Sequence, residues 1–75
     1  MKLNQNTKVR IIVGGVSVFT TVKQIRSNFG TSVSINQAVM SALSSLEDQT
    51  SRIHKPIGLM GFYSGHNVQI DIVYN

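Results

Sequence analysis

The chain has 75 residues, a formal net charge of +4 and no cysteine. This length predicts one small domain over residues 1–75 with a limited hydrophobic core. Oligomerisation would bury apolar surface that the chain alone cannot bury. The lack of cysteine excludes a disulfide framework and a thiolate metal site. No apolar run approaches the roughly 20 residues of a membrane span, and no signal-peptide core is present. We therefore expect a cytoplasmic domain in which residues 1–7 form a flexible or edge-pairing arm.

The positive charge is concentrated in the first third of the chain. Five basic residues precede the first acidic one: Lys2, Lys8, Arg10, Lys23 and Arg26. The remainder carries two basic residues and three acidic ones, a net charge of 2 − 3 = −1. A basic half favours a polyanionic partner, either nucleic acid or an acidic protein surface.

Alternating apolar and polar residues predict a β-hairpin over residues 8–20. A Gly-Gly dipeptide lies between its two strands and allows the positive φ angles of a two-residue turn. This turn places Val13 opposite Val16 on one face and Arg10 opposite Phe19 on the other.

A short helix is predicted after this hairpin. Thr20 or Thr21 can accept a hydrogen bond from the first turn as the N-cap, and Gly30 can end the helix in the left-handed conformation. Lys23 and Arg26 are three residues apart and therefore share one exposed edge of the helix.

A longer second helix carries a single apolar stripe. Its members recur at helical spacing: Ile35, Ala38, Val39, Ala42, Leu43 and Leu46. Ser34 and Gln37 predict a capping box at its start. The apolar pattern ends with this stripe, so residues 49–55 are predicted to form a loop.

Residues 57–75 repeat the hairpin pattern. A two-residue Ser-Gly turn would place Leu59 opposite Ile70 and Ile57 opposite Ile72, and a loop one or two residues longer is the open alternative. The order hairpin, two helices, hairpin predicts an α+β fold, with an antiparallel sheet of about four strands and both helices on one face.

The other face of this sheet is predicted to be uncovered and unusually apolar. Ten residues are expected there: Lys8, Arg10, Ile12, Ser17, Phe19, Met60, Phe62, Gln69, Asp71 and Val73. We expect any functional site on this face.

Catalysis and metal binding find little support in the sequence. Glu47 and Asp48 are adjacent at a helix end, and Asp71 is alone on a strand, so no carboxylate pair is predicted. His54 and His66 have no neighbouring acid that would orient them and do not match zinc-ligand spacing. We therefore expect a protein that is not an enzyme and has no metal or cofactor.

Two binding functions rank above sequestration of a small anionic ligand between subunits, and RNA or single-stranded DNA binding ranks first. Bases stack on aromatic rings at roughly 1–3 kcal/mol each while cations contact phosphates. The candidate residues for nucleic acid are Lys8, Arg10, Phe19, Lys23, Arg26 and Phe62. The alternative is a protein-binding inhibitor or adaptor that acts by occlusion, with the same face as a partner or homo-oligomer interface. Its candidate residues are Ile12, Phe19, Met60, Phe62 and Val73.

Overall fold

The computed structural model of the protein describes residues 3–29, 32–52 and 58–74. Within these ranges the chain forms β1 (Lys8–Val13), β2 (Val16–Thr21), α1 (Val22–Asn28), α2 (Val33–Arg52), β3 (Gly58–Tyr63) and β4 (His66–Ile72). The strands form one antiparallel sheet in the order β2-β1-β4-β3. The predicted α+β fold with a four-stranded antiparallel sheet is confirmed.

The first hairpin has the predicted register. Val13 pairs with Val16 and Arg10 pairs with Phe19. Gly14 and Gly15 have φ angles of 58° and 80°, so both turn residues adopt the left-handed conformation that glycine tolerates best.

The second hairpin also closes with a two-residue turn. Tyr63 pairs with His66 across the turn, and Leu59 pairs with Ile70 as predicted. The predicted pairing of Ile57 with Ile72 and the predicted role of Gly30 involve positions outside the described residues.

The two hairpins meet through their inner strands. Val9, Ile11 and Val13 of β1 pair with Ile72, Ile70 and Val68 of β4, so the apolar positions of both strands share one face. We call this the helix side, because α2 packs there against β3 and β4. The buried core consists of Leu3, Val9, Ile11, Val22, Ile25, Ala38, Val39, Ala42, Leu43, Leu46, Val68, Ile70 and Ile72.

Each helix begins at a hydroxyl side chain that caps its first turn. Thr21 caps α1 as predicted, because its Oγ1 accepts a hydrogen bond from the Gln24 N–H at 3.3 Å. The predicted capping box at Ser34 is wrong, because α2 begins at Val33, two residues before the start at Ile35 that a cap at Ser34 implies. Ser32 is the cap instead, and its Oγ accepts a hydrogen bond from the Ile35 N–H at 3.5 Å.

The end of α2 also differs from the sequence prediction. The predicted loop over residues 49–55 is wrong for residues 49–52, since the helix continues to Arg52. Thr50 is buried on the core side, and its Oγ1 donates to the Glu47 carbonyl at 2.8 Å. Arg52 forms an ion pair with Asp48 one turn earlier. A buried threonine therefore extends the helix beyond the apolar stripe, and residues 53–55 lie outside the described ranges.

Residues 3–7, for which the sequence suggested an arm, make ordered contacts with the rest of the domain. Leu3 is buried in the core with 4% of its surface exposed. The Lys23 N–H donates to the Gln5 carbonyl at 3.0 Å, and the Val22 N–H donates to the Thr7 carbonyl at 3.1 Å. These carbonyls satisfy amide groups in the first turn of α1, which have no partner within the helix.

The burial of Leu3 generates a stability prediction. We expect Leu3→Ala to lower the free energy of unfolding by about 2–3 kcal/mol, because it removes buried methyl groups and leaves a cavity. Urea denaturation followed by circular dichroism measures this change. Val33→Ala is the control, since Val33 is 76% exposed, and we expect a change within about 0.5 kcal/mol. Equal effects of the two substitutions would contradict the placement of Leu3.

Candidate binding face

One face of the sheet points away from both helices, and we call it the outer face. Successive strand residues point to opposite sides, so the outer positions are those that alternate with the core residues. The ten residues expected on the outer face lie there, together with Thr21 and Asn67: Lys8, Arg10, Ile12, Ser17, Phe19, Met60, Phe62, Gln69, Asp71 and, just after β4, Val73, whose N–H donates to the Lys8 carbonyl at 2.9 Å. The residues expected on one face therefore do lie together.

Large apolar side chains on the outer face are open to solvent. Phe19 is 71% exposed, Met60 is 73% exposed and Phe62 is 69% exposed. Ile12 and Val73 on the same face are half-buried. Full burial of a side chain of this size is worth about 1.5–3 kcal/mol, so covering this face would release substantial free energy.

The two exposed phenylalanines lie on opposite edges of the sheet. Phe19 belongs to β2 and Phe62 to β3, with the two central strands between them. Three strand spacings separate β2 from β3, a distance of about 14 Å. Met60 is two residues from Phe62 on the same strand, so these two side chains form one apolar group and Phe19 stands apart from it.

An ion pair occupies the centre of the outer face. Nη2 of Arg10 lies 2.7 Å from Oδ2 of Asp71, which also accepts a hydrogen bond from Gln69 Nε2 at 3.0 Å. Gly58 lies opposite Asp71 on β3, and a Cβ added there would lie 2.2 Å from Asp71 Oδ1. The missing side chain at Gly58 leaves room for the carboxylate, and the pair leaves the centre of the face electrically neutral.

The other arginines are paired as well. Nη2 of Arg26 donates to both carboxylate oxygens of Glu47 at 2.6 Å and so links α1 to α2. With the Arg52–Asp48 pair on α2, the three arginines account for all three acidic residues of the chain. The net charge of +4 therefore corresponds to the four lysines: Lys2, Lys8, Lys23 and Lys55.

Two of these lysines belong to the described part of the chain and have no ion-pair partner within it. Lys8 is exposed at the start of β1 and pairs through its backbone with Thr21. Lys23 follows Thr21 by two residues and is exposed in the first turn of α1. Among the described residues, the unpaired positive charge therefore lies at one end of the sheet.

The residues predicted to bind nucleic acid are divided between two parts of the molecule. Lys8, Arg10, Phe19 and Phe62 lie on the outer face, whereas Lys23 and Arg26 belong to α1. All the residues predicted for a protein interface lie on the outer face: Ile12, Phe19, Met60, Phe62 and Val73.

Two exposed apolar residues on the helix side were not expected. Val16 is 59% exposed and Val18 is 38% exposed, although both alternate with the outer residues of β2. Their exposure arises because α2 packs over β3 and β4 and leaves β2 without cover along most of its length. The sequence holds one indirect sign of this, since two helices were predicted to cover four strands.

A shallow pocket of about 360 Å³ lies where the two hairpin turns approach each other. Its lining includes Ile12, Gly14, Met60, Asn67 and Gln69. No cluster of three or more His, Cys, Asp or Glu side chains occurs among the described residues. The pocket offers apolar and amide contacts, and His66 is the one titratable side chain among the described residues that line it.

Comparison with protein-family models, with curated protein sequences and with solved structures found no match to this chain. Among the described residues, no helix has the length and apolar character needed to cross a membrane. Functional inference therefore depends on the outer face and on the sheet edges.

The central ion pair can be measured with a double-mutant cycle. We expect Arg10→Gln and Asp71→Asn to show a coupling energy of about 0.5–1 kcal/mol, because both groups are partly exposed. The coupling should decrease in high salt. Arg52→Gln and Asp48→Asn provide the comparison, since that pair is more exposed and should couple by about 0.3–0.5 kcal/mol. A smaller coupling energy for Arg10 and Asp71 than for Arg52 and Asp48 would contradict the ion pair at the centre of the outer face.

Proposed function

We propose that this chain is a non-catalytic binding protein whose outer face docks onto a protein partner, acting as an inhibitor or adaptor by occlusion. The observation that supports this proposal is the exposure of Phe19, Met60 and Phe62 on a sheet face that no helix covers. Isolated exposed apolar residues are ordinary on protein surfaces, but several on one face are typical of an interaction surface.

The chemistry of the outer face fits a protein interface. Aromatic residues, Met and Arg are enriched at such interfaces, whereas Lys is depleted. Met60 and Phe62 supply an apolar anchor, and Arg10 with Asp71 supplies a polar centre that can orient a partner. Lys8, the one lysine among the described residues of this face, lies at its end rather than at its centre.

Occlusion requires only that the face cover a functional surface of its partner. The sheet presents its side chains from a hydrogen-bonded scaffold, so little conformational entropy is lost on docking. No bond is made or broken in this mechanism. Action in the cytoplasm remains a prediction from the sequence.

The proposal predicts which substitutions abolish partner capture. We expect Phe62→Lys to reduce capture at least tenfold, because a charge replaces an apolar anchor, and about 1.4 kcal/mol of binding free energy corresponds to tenfold. The measurement is affinity capture from an extract of the cells that express the protein, with quantification by mass spectrometry.

Val33→Lys is the matched control for this experiment. Val33 is exposed to a similar extent, but it belongs to α2 on the helix side. Proteins captured by the wild type and by Val33→Lys, but lost with Phe62→Lys, would support the proposal. Equal capture by all three proteins would contradict it.

A second candidate function is binding of RNA or single-stranded DNA. It is favoured by the unpaired Lys8 and Lys23 at one end of the sheet, near Phe19 on the neighbouring strand. A base stacked on Phe19 could have its phosphates beside these cations. The pairing of Arg10 and Arg26 with carboxylates weakens this candidate, because each carboxylate neutralises the positive charge that would attract a phosphate.

Titration with fluorescent single-stranded RNA and DNA tests this second candidate. If nucleic acid binds, the logarithm of the affinity should fall with the logarithm of salt concentration at a slope of about 0.7 per phosphate contacted. Lys8→Ala should then weaken binding uniformly across sequences and reduce this slope, while circular dichroism remains unchanged. Absence of binding at low salt would rule out the nucleic-acid function and leave the protein-partner proposal unaffected.

A further inference from the structure

The two edge strands of the sheet differ in how far they are covered. On β3, Leu59 and Tyr63 pack against the core below α2, so the helix side of that strand is protected. On β2, four successive residues from Val16 to Phe19 are exposed, on both sides of the sheet. Both side-chain faces of β2 and its outward backbone edge are therefore open.

Features that normally protect an edge strand are absent from β2. Natural edge strands are shielded by lysine, proline, a bulge or an overlying element. The strand Val16–Thr21 contains no charged residue and no proline, and its one-to-one pairing with β1 leaves no bulge. Five of its six residues are β-branched or aromatic, which are the types that favour extended structure.

The hairpin turn determines which backbone groups of β2 are free. In a two-residue turn the flanking pair, here Val13 and Val16, exchanges hydrogen bonds. The N–H groups of Val18 and Thr20 therefore point towards β1, and those of Ser17 and Phe19 point outwards. The outward groups require an extended chain or water as their partner.

We propose that a second copy of this chain pairs antiparallel with β2, edge to edge about a two-fold axis. The sheets would then join into one of eight strands, with β2 of each copy at the centre. Side chains stay on matching faces when Phe19 lies opposite Phe19 of the second copy, and Ser17 lies opposite Thr21. In this register the two Phe19 rings meet on the outer face, and Val18 is covered by Thr20 of the second copy.

The distribution of charge favours pairing of two identical copies through β2. Each copy carries +4, so the copies must meet where neither presents a charge, and β2 is uncharged. Arg10 pairs with Phe19 on the next strand, so the two Arg10 backbones would be three strand spacings apart, about 14 Å. This separation exceeds the screening length of about 8 Å at physiological ionic strength, and Arg10 is already paired with Asp71.

This inference does not depend on the proposed protein partner. The dimer uses the backbone edge of β2 and Phe19, whereas the apolar group of Met60 and Phe62 remains exposed at the far ends of the joined sheet. Dimerisation would place the two outer faces side by side in one surface and thereby double the area available to a partner.

Sedimentation equilibrium over a range of protein concentrations tests the dimer with two matched variants. We expect the wild type to have twice the mass of the chain, and Phe19→Lys to raise the dimer dissociation constant about tenfold or more. Met60→Lys is the control, because Met60 is equally exposed on the outer face but lies on β3. Its dimer should match the wild type.

Other results of this experiment would overturn the proposal. A wild-type monomer at every concentration would exclude the dimer. Loss of the dimer with both Phe19→Lys and Met60→Lys would indicate face-to-face association, and loss with Met60→Lys alone would indicate the β3 edge. Capture of a protein partner is tested separately, by comparing Phe62→Lys with Val33→Lys.

Ser17→Pro tests the hydrogen bonding of the β2 edge without disrupting the fold of the chain. The Ser17 N–H points outwards, so proline should remove an intermolecular donor while the β1–β2 ladder persists. We expect a folded monomer by circular dichroism and sedimentation. Val18→Pro removes an N–H that points towards β1, and we expect it to disrupt the hairpin. A dimeric Ser17→Pro variant would overturn the proposal.

The register is tested by oxidation of single-cysteine variants, since the chain has no native cysteine. Directly opposite residues of a hydrogen-bonded pair have Cα atoms about 5.5 Å apart, within disulfide range. Phe19→Cys should therefore form a disulfide-linked dimer readily, and Val33→Cys on α2 should not. Equal cross-linking at both positions would indicate random collision and overturn the proposed register.

Discussion

The packing of α2 on β3 and β4 is the constraint on which the rest of the structure depends. The buried stripe of this helix, from Ala38 to Thr50, covers the helix side of these two strands. A single helix that packs on β3 and β4 cannot also cover β2. The shorter α1 reaches only the end of β2. The same packing therefore creates the core and leaves two surfaces open, namely the outer face and the β2 edge. Both candidate interaction surfaces follow from a chain that has too few helices for its sheet.

Local patterns in the sequence were enough to predict the hairpins. The Gly-Gly turn sets the register of β1 and β2, so the pairing of Arg10 with Phe19 could be predicted from residues close together in the chain. The pairing of β1 with β4 brings together residues about 60 positions apart, and no turn determines it. The sequence therefore does not predict the ion pair between Arg10 and Asp71, because Asp71 is an isolated acid in the pattern of its strand. Long-range pairing, rather than residue type, determines the electrostatics of the outer face.

The errors at the ends of α2 have a common physical origin. Capping and helix extension depend on hydrogen bonds and burial that several neighbouring residues can supply. Ser32 and Ser34 are both suitable caps by type, and the backbone geometry selects Ser32. Thr50 is a weak helix former, yet its burial and its bond to the Glu47 carbonyl continue the helix by another turn. Burial thus overrides local propensity at the C-terminal end, whereas a local hydrogen bond determines the N-terminal end.

Net charge alone is a poor guide to the partner of this chain. The basic excess suggested nucleic acid, but each arginine is paired with a carboxylate and stabilises the fold. A guanidinium is suited to this role because its planar donors match a carboxylate, whereas lysine is more strongly hydrated and remains in solvent. Lys8 and Lys23 are exposed and would repel the same charges on a second copy. An uncharged strand such as β2 is then the place where two copies can approach without electrostatic cost, and the exposed apolar groups at the far edges stay available to a different molecule.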